Sequence, residues 1–556
     1  MNEETQKYID EFEQYDLSME YGCVNALQKT PWKINAYVLE TLRAVWDSGE
    51  EWKGLPAKYD RTLPVYPFGD TKIQDVEDKL AVKKFKRDRT KIHTMNNREM
   101  SKRIQVERTL QIAEEYAERE KMWYVWQCDF RGRKYPVESF LSPQNADYSK
   151  ALLEFAESAT IVTTEDAKWL AIHGANLFGV DKVSLEDREM WAYFNADKAI
   201  DVCNNPLESK WWQEADKPWQ ALAWCKEWAE YSVARANGET YETYLPCASD
   251  GTCNGLQHLS AMLRDSEGGR SVNLTPSPVP QDIYRDVAEK TTELLQVEAN
   301  NGEILAQQLL TLGIDRKICK RPVMIVPYSG TLHACKSYIK EALEDKLEGM
   351  DYNPFGDDDL FRPSQYLAKY VWQSISEVVV AAFEVMDYIK SIARLYAKAG
   401  KQFSWVTPTN LLVRQTYKEK KGRRVHTHIS GSMVTVHVKD GIPDTINVRK
   451  AVSSSSPNFV HSLDASALTM TVHEAIKDGI TDYAMVHDSF GTHSPNMPLF
   501  NLRIREAFAK LYTENDVLYN LYLRATEELP DADVPEPPAK GDLDINEVLV
   551  SPYFFS

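Results

Sequence analysis

Helical periodicity runs through most of the chain and sets the first limit on its fold. The segments 35–46, 104–123, 282–300, 364–399 and 462–478 read as helices. Strand candidates are few and short: 244–249, 411–415, a hairpin over 425–438 around Gly431 and Ser432, and 483–487. This balance predicts a helix-rich α+β protein with a small β element holding key loops. A chain of 556 residues is too long for one compact core, so two or more subdomains are expected. The acidic, turn-rich stretch 341–359 predicts a surface loop, and the Pro-rich stretch 529–540 a linker. No internal repeat is visible.

Several classes drop out. The first ten residues are acidic and polar, unlike a secretory or transit leader. The most apolar stretch, 377–386, is interrupted by Glu384 and is far too short to span a bilayer, so no membrane partner is expected. The eight cysteines include no CxxC pair and read as reduced thiols of a cytoplasmic chain. The net charge of −18 argues, at face value, against a nucleic-acid partner.

The distribution of that charge argues otherwise. Residues 81–135 carry 15 basic and 8 acidic side chains, and residues 401–450 carry 10 and 3. Residues 1–80 and 471–556 hold the acidic surplus. Fields are local on the scale of a Debye length, about 8–10 Å, so two basic zones can form a groove in an acidic protein. Residues 83–91 (KKFKRDRTK) suit a helix along a phosphate backbone or a solvated hinge. Residues 414–424 (RQTYKEKKGRR) lead into the alternating hairpin, which suits a ribbon entering a DNA groove or an ordinary solvated hairpin.

Three motifs carry chemistry. A short extended run ends in Asp250-Gly251, before a helix-like segment that reaches His258. A second, AMV, ends in His487-Asp488-Ser489. Each alone is an ordinary turn. Together, carboxylates from two adjacent strands can bridge two Mg²⁺ ions about 3.5–4 Å apart. In the third motif Arg316, Lys320, Met324 and Tyr328 lie four apart, drifting about 40° per step along one side of a predicted helix. Two cations there can hold a triphosphate, Arg as a fork and Lys as a point charge.

These segments resemble motifs A, C and B of the single-subunit DNA-dependent RNA polymerases of T-odd phages and mitochondria. Trp32-Lys-Ile-Asn35, Asp129-Phe-Arg131-Gly-Arg133, the run from Ile172 to Asn176 with Gly179 to Val183, Met262 to Asp265, Asp282-Ile-Tyr284 and Pro457 to Ser462 agree as well. The resemblance extends over about residues 26–556.

It implies a right hand: an acidic N-terminal extension over 1–25, thumb over 26–120, palm over 121–278, fingers over 279–461 with a specificity hairpin near 414–450, and a second palm part with a C-terminal foot over 462–556. It implies transfer of ribonucleoside monophosphates from NTPs to an RNA 3′-OH, with two Mg²⁺ on Asp250 and Asp488. Arg316 and Lys320 would hold the phosphates, aided by Lys182. Tyr328 would stack near the incoming base pair and, with His461, sense the ribose 2′-OH, Tyr284 lining the same pocket. Arg131 and Arg133 would meet the template or hybrid backbone, and Lys420, Lys421, Arg423 and Arg424 would meet promoter DNA. Implied partners are DNA template and promoter, RNA product and NTPs, in the cytoplasm of a phage-infected bacterium.

The chain departs from the family in two places. Ser329 separates Tyr328 from Gly330, and Pro322 and Pro327 each remove a backbone donor, which predicts altered helix geometry. Only about 30 residues precede Trp32, where the family carries a long promoter-opening domain. The expectation is that a separate polypeptide supplies those parts, that synthesis starts on pre-melted DNA, or that the sequence is a fragment. The rival readings are a related DNA polymerase or primase and a non-catalytic nucleic-acid-binding subunit. Against the former, a bulky acidic steric gate is missing from Asp-Gly-Thr-Cys-Asn-Gly. Against the latter, all five of Asp250, Asp488, Arg316, Lys320 and Tyr328 are present.

Overall fold

The computed structural model describes residues 3–68, 76–348, 350, 352–356, 360–419, 422–429, 432–439 and 445–556. The elements that build the site are, in chain order, helices α1 (Ser18–Lys29), α2 (Ala36–Ser48) and α3 (Val76–Tyr116), the hairpin β1 (Trp126–Cys128) and β2 (Lys134–Pro136), and α4 (Pro218–Ala236). Strand β3 (Cys247–Asp250) leads into α5 (Asn254–Leu263), α6 (Ile283–Asn300), α7 (Arg316–Met324), α8 (Leu332–Glu348), α9 (Phe361–Val378) and α10 (Val380–Lys398). The hairpin β4 (Gly422–Ile429) and β5 (Ser432–Lys439), helix α11 (Val448–Lys477) and the hairpin β6 (Ala484–Val486) and β7 (Ser489–Thr492) complete the set. This is a helix-rich α+β protein. Among the described residues no helix is long and apolar enough to cross a membrane.

Local chemistry sets several boundaries. Asn35 caps α2 by accepting from the Val38 amide at 3.1 Å, and Gly49 closes it in the left-handed region. Asp315 and Asn447 cap α7 and α11 in the same way. Helix α3 ends at Tyr116 rather than Trp123, because Met122 pairs as a β-bridge with Trp32, each amide donating to the other's carbonyl at 2.8 Å. The expected 364–399 helix is two helices, broken at Val379 inside a run of three β-branched valines. Helix α11 begins well before residue 462 and runs through Pro457, so the expected 462–478 element is its second half. The predicted surface loop 341–359 is helical over its first part, because α8 extends to Glu348 and buries Leu343.

The three-stranded sheet runs β6-β7-β3, antiparallel throughout, with Ser489 opposite Asp250 and Val486 opposite Ser489. Cys247, Ser249, Met485 and Phe490 point to its buried face. By strand alternation, Ala248, Asp250, Val486 and Ser489 share the open face. Buried apolar residues from α1 to Phe555 form one connected cluster beneath and around that sheet. Inside it lies a charged knot: Lys134, with no exposed surface, puts Nζ 2.6 Å from Glu20 of α1 and also donates to Thr469 of α11.

Candidate active site

Both motif carboxylates emerge at one end of the small sheet. Asp250 is the last residue of β3, and Asp488 sits in the two-residue turn between β6 and β7. The Gly251 amide donates to the Asp488 carbonyl at 2.9 Å, which locks the two strand ends together. Both side chains keep solvent-exposed surface, yet the atoms packed around each carboxyl desolvate it. Burial opposes ionisation of Asp250, but Lys217, the Ser489 hydroxyl and Lys150 outweigh it and hold its carboxyl below the usual range. Burial and the neighbouring Asp250 push Asp488 up. One carboxylate primed for negative charge beside another that resists it is a pair that a divalent cation would relieve. Among the described residues no three His, Cys, Asp or Glu side chains converge as a ready-made metal cage. A cation held by this pair would complete its shell from water or bound phosphate, a pattern that suits Mg²⁺.

Lys217, which the sequence reading did not single out, lies 3.3 Å from Asp250 Oδ2. It precedes Pro218 at the start of α4, and no short-range spacing connects it to Asp250. A cavity of about 70 Å³ opens beside Asp250, lined by Lys150, Lys217, His173 and Asp250 among others.

A second set of cations lies close by. On α7, Arg316 Nε donates to Asp282, the cap of α6, and the guanidinium lies over the Tyr284 ring at 5.3 Å. One turn on, Lys320 is exposed, yet partial desolvation of its amine and the nearby Arg316 push its pKa down. Asp181, Lys182 and Asp216 are its other charged neighbours, and Lys182 pairs with Asp181 at 3.0 Å. Asp216, beside Lys217, packs against Gly179 of the same loop. Asp181, Lys182 and Asp216 thus stand near Lys320, and Lys217, next to Asp216 in the chain, pairs with Asp250.

Tyr328 is not on the α7 helix as its spacing predicted. The helix stops at Met324, and Tyr328 lies in a following turn closed by Ser329 at φ 57°. Its ring comes within 4.8 Å of the His461 ring. Gly255 permits this approach: a Cβ there would sit 2.8 Å from Pro327 and 3.3 Å from the Tyr328 hydroxyl. Tyr284 is also buried, with the Cys253 thiol among the groups near its hydroxyl. Ser329 holds a left-handed conformation that favours glycine, and its buried hydroxyl has no partner among the described residues. Ser329→Gly is therefore expected to stabilise the protein by about 0.5–1 kcal/mol, read as a raised denaturation midpoint.

Arg131 and Arg133 sit in the loop between β1 and β2 and are fully engaged. Arg131 Nε donates to Asp129 at 2.9 Å and its Nη1 meets His461 Nδ1 at 2.8 Å. Arg133 grips both oxygens of Asp464, one turn beyond His461 on α11. Gly132, at φ 92°, makes the loop tight enough for both. Asp464 escaped the sequence reading, although its position three residues after His461 is the helical spacing that signals a shared face.

The basic hairpin is present, with Arg424 opposite His437 and Arg423 opposite Val438. Arg423 and Arg424 therefore point to opposite faces, both exposed. Arg424, His426, His428, Met433, Thr435 and His437 share one face, and Val425, Val434, Val436 and Val438 lie on the other. Lys420 and Lys421 lie outside the described residues. The cations over 83–91 are exposed along α3, where Lys91 reaches Glu348 of α8 at 2.5 Å.

A sequence profile described as DNA-dependent RNA polymerase matches residues 161–533. The chain is 34% identical to T7 RNA polymerase of Escherichia phage T7, over 99% of its own length and 66% of that protein. It is 33% identical to the DNA-directed RNA polymerase of Enterobacteria phage K11, over 96% of its own length and 63% of the relative. It is 32% identical to the mitochondrial DNA-directed RNA polymerase 1B of Nicotiana tabacum, with 96% and 52% covered. The chain thus spans between about half and two thirds of the length of these relatives.

Proposed function

The chain belongs to the DNA-dependent RNA polymerase family, and on that premise we propose that it is a template-directed RNA polymerase that transfers ribonucleoside monophosphates from NTPs to an RNA 3′-OH. The observation that carries this reading is the pair Asp250 and Asp488 at one end of an open sheet face, with Arg316 and Lys320 one turn apart on α7. Such an arrangement fits phosphoryl transfer, in which positioning and charge stabilisation do most of the work.

The proposed subdomains follow the family's right hand, with thumb over 26–120, palm over 121–278 and 462–556, and fingers over 279–461. The thumb's long helix α3 and the α8 helix of the fingers meet at Lys91 and Glu348, which supports a cleft enclosed on both sides. Asp250 and Asp488 would hold two Mg²⁺ ions, which when bound lower the pKa of the RNA 3′-OH and offset charge on the phosphates.

The remaining steps fall to the chain's own side chains. Arg316, oriented by Asp282, and Lys320 bind the triphosphate oxygens and offset the charge that develops on departing pyrophosphate. Lys182 adds to them, and Lys217 stands on the same side of Asp250. Tyr328 stacks against the incoming base pair, and with His461 and Tyr284 it bounds the ribose. On the hairpin, Arg423 and Arg424, with Lys420 and Lys421, engage promoter DNA.

A family DNA polymerase is the second reading, because a carboxylate pair and an Arg–Lys helix would serve it equally. The segment after Asp250 decides against it: Gly251 to Gly255 offers no bulky acidic group to repel a ribose. Extension of a primed DNA template with NTPs against dNTPs tests the choice. NTPs are expected to be preferred by ~10²-fold or more, since a site built to bond a hydroxyl rejects the analogue lacking it. Preference for dNTPs overturns the reading.

A further inference from the structure

We propose that Asp129 and Arg131 are positioning residues that fix His461 as an Nε2–H donor for a hydroxyl oxygen of the incoming ribose. The proposal rests on the reading of the Tyr328–His461 pocket as the ribose site and extends it to the loop behind it.

A guanidinium has five N–H donors and no acceptor. Arg131 Nη1 lies 2.8 Å from His461 Nδ1, so Nδ1 must accept. A histidine whose Nδ1 accepts is neutral and carries its proton on Nε2. Charge in the surroundings agrees: burial, Arg133 and Arg131 together push the imidazole pKa down to about 2. Among the described residues Nε2 has no hydrogen-bond partner, and the ring stands beside Tyr328 at 4.8 Å with part of its surface open. A single, oriented N–H donor therefore faces the pocket.

Arg131 does not move freely. Asp129 Oδ2 accepts from both its Nε and its Nη2, leaving Nη1 for the histidine. Asp129 Oδ1 in turn accepts from the backbone amides of Arg131 and Arg133 at 2.9 and 3.2 Å, so the carboxylate is pinned by its own loop. The next arginine, Arg133, clamps that loop to Asp464 on α11, the helix that carries His461. Two arginines two residues apart thus seize two positions one helical turn apart, which fixes the distance across which the histidine is held. Buried, oriented donors discriminate strongly between a hydroxyl and its absence, because the wrong partner leaves a polar group unpaired.

The full chain carries the test, with Arg131→Met removing the donor at similar volume and Arg131→Lys restoring one donor. Ring-¹⁵N histidine NMR, with His461→Gln to assign the signal, reads the tautomer, and primer extension reads NTP against dNTP preference. The expected result is a pure Nε2–H signal in the parent protein and mixed tautomers in Arg131→Met. Ribonucleotide preference should fall at least tenfold in that variant, chiefly through a higher KM for NTPs, with partial recovery of both in Arg131→Lys. Unchanged tautomer and preference in Arg131→Met, alongside lost preference in His461→Gln, overturns the relay and leaves the ribose pocket standing. Unchanged preference in His461→Gln overturns the pocket reading itself.

Discussion

Asp488→Asn and Asp250→Asn are each expected to lower the rate of nucleotide addition by ~10³-fold or more while leaving binding to a primed DNA template within a few fold of the parent. The amide keeps the shape of the carboxylate, and both side chains keep solvent-exposed surface, so folding has little stake in the exchange. What changes is charge. Asp488 sits against Asp250, and the two together supply the negative field that would attract a divalent cation. Removing either charge leaves one carboxylate, already partly offset by Lys217 in the case of Asp250. Template binding should tighten slightly if it changes at all, because a charge that repels phosphates has been removed. Single-turnover extension and fluorescence anisotropy on one template separate the two effects. Parallel loss of both would make the residue structural.

Lys134→Met is the second large effect, and it falls on stability. Lys134 is fully buried, and burial alone would push its amine pKa down; Glu20 beside it more than reverses that. Thr409 and Thr469 complete the shell around Glu20, at 2.5 Å from Thr409 and 3.3 Å from Thr469. Met fills the space but strands the carboxylate among hydroxyls, a loss of about 3–5 kcal/mol in denaturant unfolding. Glu20→Gln in the same background should recover much of it, because the neutral amide can still bond both threonines. A double-mutant cycle measures the coupling directly. Lys134 directly follows Arg133, so its loss should also loosen the loop that holds His461, and reduced ribose selectivity should accompany the lowered stability.

Where the sequence was legible, a short-range pattern carried the information. The two aspartates stand where short extended runs end, as the segments before Asp250 and His487 read, and the Arg316–Lys320 step follows from helical spacing. Cap residues such as Asn35 and Asp315 stand in the chain as they stand in the fold. Illegible features depended on partners distant in sequence. The end of α3 is set by Trp32 pairing with Met122, about ninety residues away. The exit of Tyr328 from the helix, by contrast, is local and falls where Pro327 and Ser329 predict altered geometry: Pro327 has no amide to donate, and Ser329 adopts a left-handed backbone. The commitments of Arg131 to His461 and of Arg133 to Asp464 join positions more than three hundred residues apart. Lys217 reaches Asp250 across 33 positions of sequence. The −18 charge, a poor guide to partners, resolves into exposed basic stretches on α3 and on the β4–β5 hairpin within an otherwise acidic chain.

The central claim is template-directed RNA synthesis at Asp250 and Asp488. Extension of an RNA primer annealed to DNA of defined sequence, with one NTP supplied at a time, tests it most directly. The account predicts addition only of the NTP complementary to the next template base, with no addition by Asp488→Asn. Addition that ignores the template, or undiminished addition by Asp488→Asn, would contradict it.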